Sequence, residues 1–144
     1  MTNTLTIRCK NNGSKIHVPF GSSLYKVYEH TGLHMDYGPI AATVNNKVQG
    51  MNYRFYNNKD VEFLSLQSPA GIYTYTRTLF FVLVKAVEDL YPHGDIIIGD
   101  PVSRGYYCEL HTGEPVTPQT VSAIKQRMQE IIAADMPIHR IQCP

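Results

Sequence analysis

The chain has 144 residues, of which 43% are hydrophobic and 17% charged, with a formal net charge of +1. This length suits about one globular domain, and so few charges exclude a disordered, highly charged chain. The longest apolar run, residues 79–84, is far shorter than the roughly 20 residues of a membrane span. We therefore expect a folded protein with no membrane partner and no global electrostatic attraction to nucleic acid.

The first part of the chain predicts strands around one short helix. Apolar and polar residues alternate in five short segments, and Gly21-Ser22-Ser23 supplies an N-cap for a helix that ends before Gly32. An Asn45-Asn46 pair predicts a turn between the third and fourth strands. The predicted strands are 5–9, 15–19, 40–45, 47–51 and 61–66. This order predicts a small α+β domain over residues 1–67.

A break in this pattern at Ser68-Pro69-Ala70-Gly71 predicts a linker over residues 68–71, followed by a second domain over 72–144. Residues 72–90 predict a long helix that is apolar on most sides and is therefore expected to be largely buried. Thr117-Pro118 predicts the start of another helix. The predicted strands of this part are 95–99, 106–110 and 138–143. Residues 1–66 carry a net charge of +3 and the remainder a net charge of -2.

Cysteine and histidine give no metal-ligand spacing. Cys9, Cys108 and Cys143 are widely separated, which favours free thiols in a cytoplasmic protein over a disulfide framework. Cys108 lies in a strand pattern and is predicted to be a buried thiol, and one of its neighbours Tyr106 and Tyr107 is expected in the core. The pair His30 and His34 spans a predicted helix end, which favours two surface residues. We expect no metal site and no catalytic residue in this chain.

A nucleotide-binding loop is also rejected. Gly94 and Gly99 have the spacing of the G-x-x-x-x-G-K-[ST] pattern, but Asp100 and Pro101 follow where Lys and a hydroxyl residue are needed. Because an Asp there would repel phosphate, the two glycines are interpreted as the ends of a strand.

Basic and aromatic residues in the first part suggest a ligand or RNA site. Tyr53, Phe55 and Tyr56 surround Arg54, and such residues stack on and clamp single-stranded RNA in some proteins. The alternative, which we favour for these aromatics, is that they close a small core. The candidate residues for binding RNA or a small nucleotide ligand are Lys10, Lys15, Lys47, Tyr53, Arg54 and Lys59.

Residues 4–66 resemble a TGS domain, the small β-grasp (ubiquitin-like) unit of threonyl-tRNA synthetases, certain GTPases and stringent-response enzymes. The resemblance lies in GSKIHVPFGSSLYKVYEHTG, in IAATVNNKVQGMNYRFYNNKD and in the closing VEFLSL. Asn46 stands where the family usually has Gly, a mild departure because Asn tolerates left-handed turn positions.

The second part resembles the additional domain that follows TGS in threonyl-tRNA synthetases. The resemblance lies in RTLFFVLVKAVEDLYP, then IIIGDPVSRGYYCEL, then TPQTVSAIKQRMQEIIAADMPIHR. In the editing synthetases the long helix begins with two His residues four apart, a site associated with hydrolysing mischarged tRNA. Arg77 and Phe81 occupy those positions here, and neither side chain supports that chemistry.

The resembling domain extends past the equivalent of residue 144, so we expect the chain to be the N-terminal part of a longer protein. The order of domains without the editing His pair resembles the front of bacterial uridine/nucleoside kinase-like proteins. That resemblance implies a non-catalytic regulatory or ligand-binding segment, no cofactor in this segment, and a downstream catalytic domain that uses ATP and Mg²⁺. The alternatives are the front of an editing-deficient threonyl-tRNA synthetase and an RNA-binding module.

Overall fold

The computed structural model describes residues 4–139, 141 and 143. The chain divides into two compact units, Met1–Thr76 and Arg77–Pro144. In chain order the elements are β1 (Thr4–Cys9), β2 (Lys15–Pro19), α1 (Leu24–Glu29), β3 (Ala41–Val44), β4 (Lys47–Gln49), β5 (Lys59–Leu64), α2 (Pro69–Leu90), β6 (Asp95–Val102), β7 (Gly105–His111) and α3 (Pro118–Ala133).

The first unit contains a five-stranded mixed sheet in the order β2-β1-β5-β3-β4. The central pair, β1 and β5, is parallel, and the other neighbouring strands are antiparallel. Ser23 caps α1 by accepting a hydrogen bond from the backbone N–H of Lys26, as the sequence predicts. Helix α1 lies between β2 and β3 in the chain. This mixed α+β arrangement is compatible with a β-grasp-like domain.

The turn between β3 and β4 is formed by Asn45 and Asn46, as predicted. Both residues have positive φ, 46° and 67° respectively. Two consecutive left-handed residues are the requirement of a tight hairpin turn whose twist matches the strands, and Asn tolerates this conformation better than most residues.

Alternation along the strands builds the core of the first unit. On β1, Ile7 and Cys9 are fully buried while Arg8 between them is exposed. Phe55, from the loop before β5, is the largest fully buried side chain. The other buried members of this cluster are Ile16, Val18, Leu24, Val27, Ala42, Val44, Met51, Val61 and Phe63. The apolar side chains of the sheet, of α1 and of the loop before β5 therefore form one hydrophobic core.

Helix α2 begins at Pro69, so three of the four residues expected in a linker form its first turn. Pro suits this position because a first-turn residue needs no partner for its N–H. Gly71 fits the packing there, since a Cβ on it would lie 2.0 Å from the carbonyl oxygen of Ser65. The division of the chain at residues 68–71 remains a prediction.

The expectation that α2 is largely buried is wrong. Only Gly71, Ala86 and Val87 of its 22 residues are buried, and Phe81 is 64% exposed. The hydrophobic composition of the helix predicts burial on most sides, but among the described residues the helix is buried only at Gly71 in its first turn and at Ala86 and Val87 near its C-terminal end.

The second unit packs α2, a two-stranded antiparallel sheet and α3. Its core is small: Ala86 and Val87 of α2 pack with Ile124 and Ile131 of α3. Thr117 caps α3 by accepting a hydrogen bond from the N–H of Thr120, with Pro118 as the first helical residue, as predicted.

Three further expectations about the second unit need correction or remain open. Cys108 is exposed, not buried, and Tyr106 and Tyr107 are 44% and 57% exposed rather than divided between core and surface. The cause is that β6 and β7 pair only with each other among the described residues, so one strand pair leaves much of both faces in solvent. The predicted strand over residues 138–143 includes positions 140 and 142, which lie outside the described residues.

Candidate functional site

Arg77 and Phe81, which the family resemblance predicts to stand in place of the editing His pair, lie on α2, one helical turn apart. Arg77 and Phe81 share a helix face because residues four apart align along an α-helix. Together with Phe80 and Val84 they line a shallow hollow of about 240 Å³, which we call the Arg77 hollow. Phe80 also packs edge-on against Tyr106, with ring centroids 4.8 Å apart.

A larger hollow of about 490 Å³, the apolar hollow, lies beside it and shares Phe81. Carbon-rich side chains of α2, of the end of α3 and of the segment after α3 form most of its lining. The lining residues are Thr78, Phe81, Val82, Lys85, Ile131, Ile132, Asp135, Met136, Pro137 and Ile138. A ligand here would meet mainly apolar surface.

The side chains of this site do not support hydrolysis by the chemistry that two His residues provide. Phe81 has no group that accepts a proton or binds a metal, and the guanidinium of Arg77 stays protonated at physiological pH. The described residues contain no group of three or more His, Cys, Asp or Glu side chains arranged to hold a metal ion.

An ion-pair network fixes α2 against α3 beside the apolar hollow. Arg127 of α3 donates two hydrogen bonds to one carboxylate oxygen of Asp89 on α2, at 2.9 and 2.8 Å, and it also pairs with Glu130. Lys85 pairs with the other oxygen of Asp89. Hydrogen bonds from Lys85 and then Arg127 hold the pKa of the Asp89 carboxyl below its usual value. The hydrogen bonds of Arg127 to Asp89 and then to Glu130 raise the pKa of its guanidinium.

In the first unit, part of the predicted basic set lies around the turn between β3 and β4. Lys10 donates a hydrogen bond to the side-chain oxygen of Asn46 at 3.1 Å, next to Lys47. Lys59 lines a hollow of about 280 Å³, the sheet hollow, whose residues are Thr6, Arg8, Asn45, Asn58, Lys59 and Asp60. Because Asn45 lines this hollow, the three lysines lie around one region of the unit.

Arg8 belongs to this region although it is absent from the residues predicted from the sequence. Its register partners are Lys15 on β2 and Asp60 on β5. Paired residues on neighbouring strands share a face, so the three side chains lie together on the outer face of the sheet. The sequence signal for this position of Arg8 was the alternation along β1. Because Ile7 and Cys9 point into the core, the side chain of Arg8 between them must point to solvent.

Tyr53 and Arg54 lie elsewhere, beside the start of α1. Tyr53 packs partly buried against the core with its ring 5.3 Å from that of Phe55. Arg54 is exposed and donates a hydrogen bond from Nη1 to the carbonyl of Gly21 at 2.9 Å. The structure therefore divides the six predicted residues into two groups. Their binding role remains a prediction.

The remaining sequence candidates lie in ordinary structural positions. Gly99 and Asp100 are inside β6, so this segment is strand and not a phosphate-binding loop. His30 is the C-cap of α1 and its Nδ1 lies 2.7 Å from the carbonyl oxygen of Lys26, whereas His34 is exposed beyond the helix.

The described fold is an α+β chain with two units, and no family model matches its sequence. Threonine–tRNA ligases are among the known proteins to which the chain is similar. The chain is 30% identical over 136 residues to the enzyme of Syntrophomonas wolfei, which covers 94% of this chain and 21% of that protein. It is 26% identical over 131 residues to the ligase of Desulforamulus reducens, and 24% identical over 129 residues to that of Rubrobacter xylanophilus.

The last two alignments cover 91% and 90% of this chain, and it spans only about a fifth of the length of each relative. The chain is therefore related to a region of threonine–tRNA ligases. This finding favours the synthetase alternative over the kinase-associated interpretation, for which these relatives give no support. In the part of the chain that the structure describes, no helix is both long and apolar enough to cross a membrane.

Proposed function

We propose that this chain is the N-terminal region of a cytoplasmic threonyl-tRNA synthetase-like protein, and that it has no editing activity. The observation that carries the proposal is the similarity to threonine–tRNA ligases along 94% of the chain, at 30% identity. The proposed absence of editing also uses the prediction, made from the family resemblance, that Arg77 and Phe81 stand where editing synthetases have two His residues. In this proposal the first unit is a TGS domain, and the second is part of the additional domain.

The geometry of α2 supports a role in binding over a role in hydrolysis. Hydrolysis of a tRNA ester requires a group that activates water and a group that stabilises the developing negative charge. Arg77 is able to supply positive charge, but Phe81 supplies no base. The apolar hollow beside Phe81 suits a carbon-rich partner surface more than a reacting ester.

The proposal is tested by incubating the chain with serine-charged threonine tRNA and measuring release of serine over time. An editing-competent threonyl-tRNA synthetase is the positive control, and buffer gives the uncatalysed rate. We expect a rate equal to the uncatalysed one, because the residues that line the Arg77 hollow, Arg77, Phe80, Phe81 and Val84, include no base.

Serine release several-fold above the buffer rate would contradict the proposal. The variants Arg77→Ala and Phe81→Ala then identify the source of the activity. If either variant removes the activity, the Arg77 hollow is catalytic, and if neither does, the chain has another catalytic centre. Each result overturns the assignment as non-catalytic.

A further inference from the structure

We propose that Phe20, Arg54 and Tyr56 form a binding surface for the unpaired bases of single-stranded RNA. We call these three residues the aromatic surface. The inference concerns the first unit only and does not depend on the proposed absence of editing activity in the second.

The two rings of the aromatic surface are paired but largely open to solvent. Phe20 is 52% exposed and Tyr56 is 58% exposed, although their centroids are only 5.1 Å apart in an edge-to-face arrangement. Each ring therefore supports the other at one edge while much of its remaining area is exposed. An exposed aromatic face of this kind is the element on which RNA bases stack.

The backbone holds the aromatic surface in a fixed geometry. Segments 20–23 and 53–56 run antiparallel, with a bridge between Ser23 and Arg54. The N–H of Gly21 donates to the carbonyl of Phe55 at 2.7 Å, and the N–H of Phe55 donates to the carbonyl of Ser22 at 3.0 Å. A rigid platform loses little conformational entropy when a base binds.

Alternation in segment 53–56 explains why these side chains face solvent. Phe55 is fully buried and Tyr53 is partly buried in the core, so Arg54 and Tyr56 point to the opposite side. This arrangement gives the aromatic residues of segment 53–56 two different roles. Tyr53 and Phe55 close the core, as the sequence favours. The same prediction is wrong for Tyr56, which is exposed and remains available to a ligand.

Arg54 supplies a positive charge beside the rings. Its guanidinium donates to the carbonyl of Gly21, and it forms no ion pair with any residue that the structure describes. Four of its five N–H groups are therefore not used in that bond. A guanidinium in this state is suited to stack on a base or to bind a phosphate oxygen.

The sheet hollow continues the aromatic surface along the chain. Asn58, which lines that hollow, follows Tyr56 by two residues, so their Cα atoms are at most about 7 Å apart. Arg8 and Lys59 of the hollow, whose two positive charges outnumber the one negative charge of Asp60 there, then provide charges for phosphates next to the stacked bases. The net charge of +3 on residues 1–66 agrees with a polyanionic ligand.

This layout favours a strand over a free nucleotide or a duplex. Stacking on open rings gives modest affinity per base, so binding requires several adjacent contacts, which a mononucleotide lacks. In a duplex the bases stack on one another and present no free face to Phe20 or Tyr56.

The experiment measures binding of the full chain to a fluorescently labelled, unstructured 12-nucleotide RNA by anisotropy between about 50 and about 200 mM salt. We expect binding at low salt that weakens as salt rises. The double variant Phe20→Ala/Tyr56→Ala should weaken binding about tenfold or more at every salt concentration, because it removes stacking and leaves the phosphate contacts.

A second pair of variants separates the charges from the rings. Arg8→Ala/Lys59→Ala should reduce the slope of log affinity against log salt by about 0.7 for each phosphate that is no longer bound, whereas the aromatic double variant should leave the slope unchanged. Tyr37→Ala is the matched control, since Tyr37 is an aromatic residue of the same unit that is 92% exposed. Circular dichroism and thermal unfolding confirm that each variant is folded.

No binding at the lowest salt, unchanged affinity in the folded aromatic double variant, or duplex RNA bound as tightly as the single strand would each overturn the inference. Uridine monophosphate displacing the RNA at an equal nucleotide concentration would also overturn it, because the site would then recognise a free nucleotide. A large loss of affinity in Tyr37→Ala would contradict the placement of the site.

Discussion

Phe81 shows how one side chain sets the chemistry of a site. It lines both hollows on α2, so its ring faces any molecule that enters either of them. Phe offers contact area but neither a proton acceptor nor a metal ligand. The loss of hydrolysis that we propose thus follows from the side chains at this site, whatever holds the helix in place.

Asn46 shows that a local backbone conformation also depends on the residue at one position. Its φ of 67° is strained for most side chains, and the sequence already indicated this position because Asn stands where the resembling family has Gly. The turn was predictable because its cause is contained in two adjacent residues. By contrast, nothing in the sequence indicates that Phe20 contacts Tyr56, since the contact depends on how two distant segments pair.

We expect Asn46→Val to lower the free energy of unfolding by about 1–2 kcal/mol, because a β-branched side chain is disfavoured at positive φ. Asn46→Gly should leave the stability equal or slightly higher, since Gly adopts this conformation freely. Urea unfolding followed by circular dichroism measures both changes.

The control for this pair is Asn57→Val, at an exposed position in a bend, where little change is expected. The Gly variant also removes the hydrogen bond from Lys10 to the Asn46 side chain. If Asn46→Gly is as unstable as Asn46→Val, the side-chain contact and not the backbone conformation accounts for the preference for Asn.

At the scale of elements, α2 shows that the sequence predicts the existence and the end of a helix better than its start or its burial. The existence of the helix and its end near Pro92 follow from local signals, and so does the cap of α3 at Thr117. The helix begins three residues before the predicted start, because Pro69 and Gly71 suggest a linker in the sequence. Its burial is lower than predicted because cover depends on which other elements pack against it, and composition does not contain that information.

The Asp89 network gives a prediction about the contact between α2 and α3. Because the folded state lowers the pKa of Asp89, its contribution to stability is full above the unfolded-state pKa of about 4 and is lost as pH falls through the lower folded-state value. Asp89→Asn should therefore lower the thermal midpoint at about pH 7, with a gap from the wild type that narrows on acidification.

Glu88→Gln is the matched control for Asp89→Asn. Glu88 is an exposed neighbour on the same helix and forms no ion pair with the described residues. The thermal midpoint of the Glu88→Gln variant should therefore equal that of the wild type at each pH. A gap for Asp89→Asn that persists unchanged at about pH 2 would mean that the carboxylate charge is not the source of the stabilisation.

For the whole molecule, the near-neutral net charge of +1 conceals two parts of opposite sign. Residues 1–66 carry +3 and the remainder -2, so an attraction to RNA is expected of the first part and not of the second. The aromatic surface lies in the positive part and the Arg77 hollow in the negative part. We therefore assign the proposed RNA binding and the proposed loss of editing chemistry to different regions of the chain.

The synthetase interpretation of the chain concerns a protein of which it spans about a fifth. The parent's reaction and its use of ATP and Mg²⁺ remain predictions. The two candidate parents differ in the sequence that would follow residue 144, because each catalytic domain needs its own residue pattern.

Reading the coding sequence downstream of codon 144 tests this account most directly. We predict an open frame that continues into the motifs of a class II synthetase. A strand followed by G-x-x-x-x-G-K-[ST] and a helix would contradict the account in favour of a nucleoside kinase. A stop codon directly after Pro144 would contradict the assignment to a longer protein.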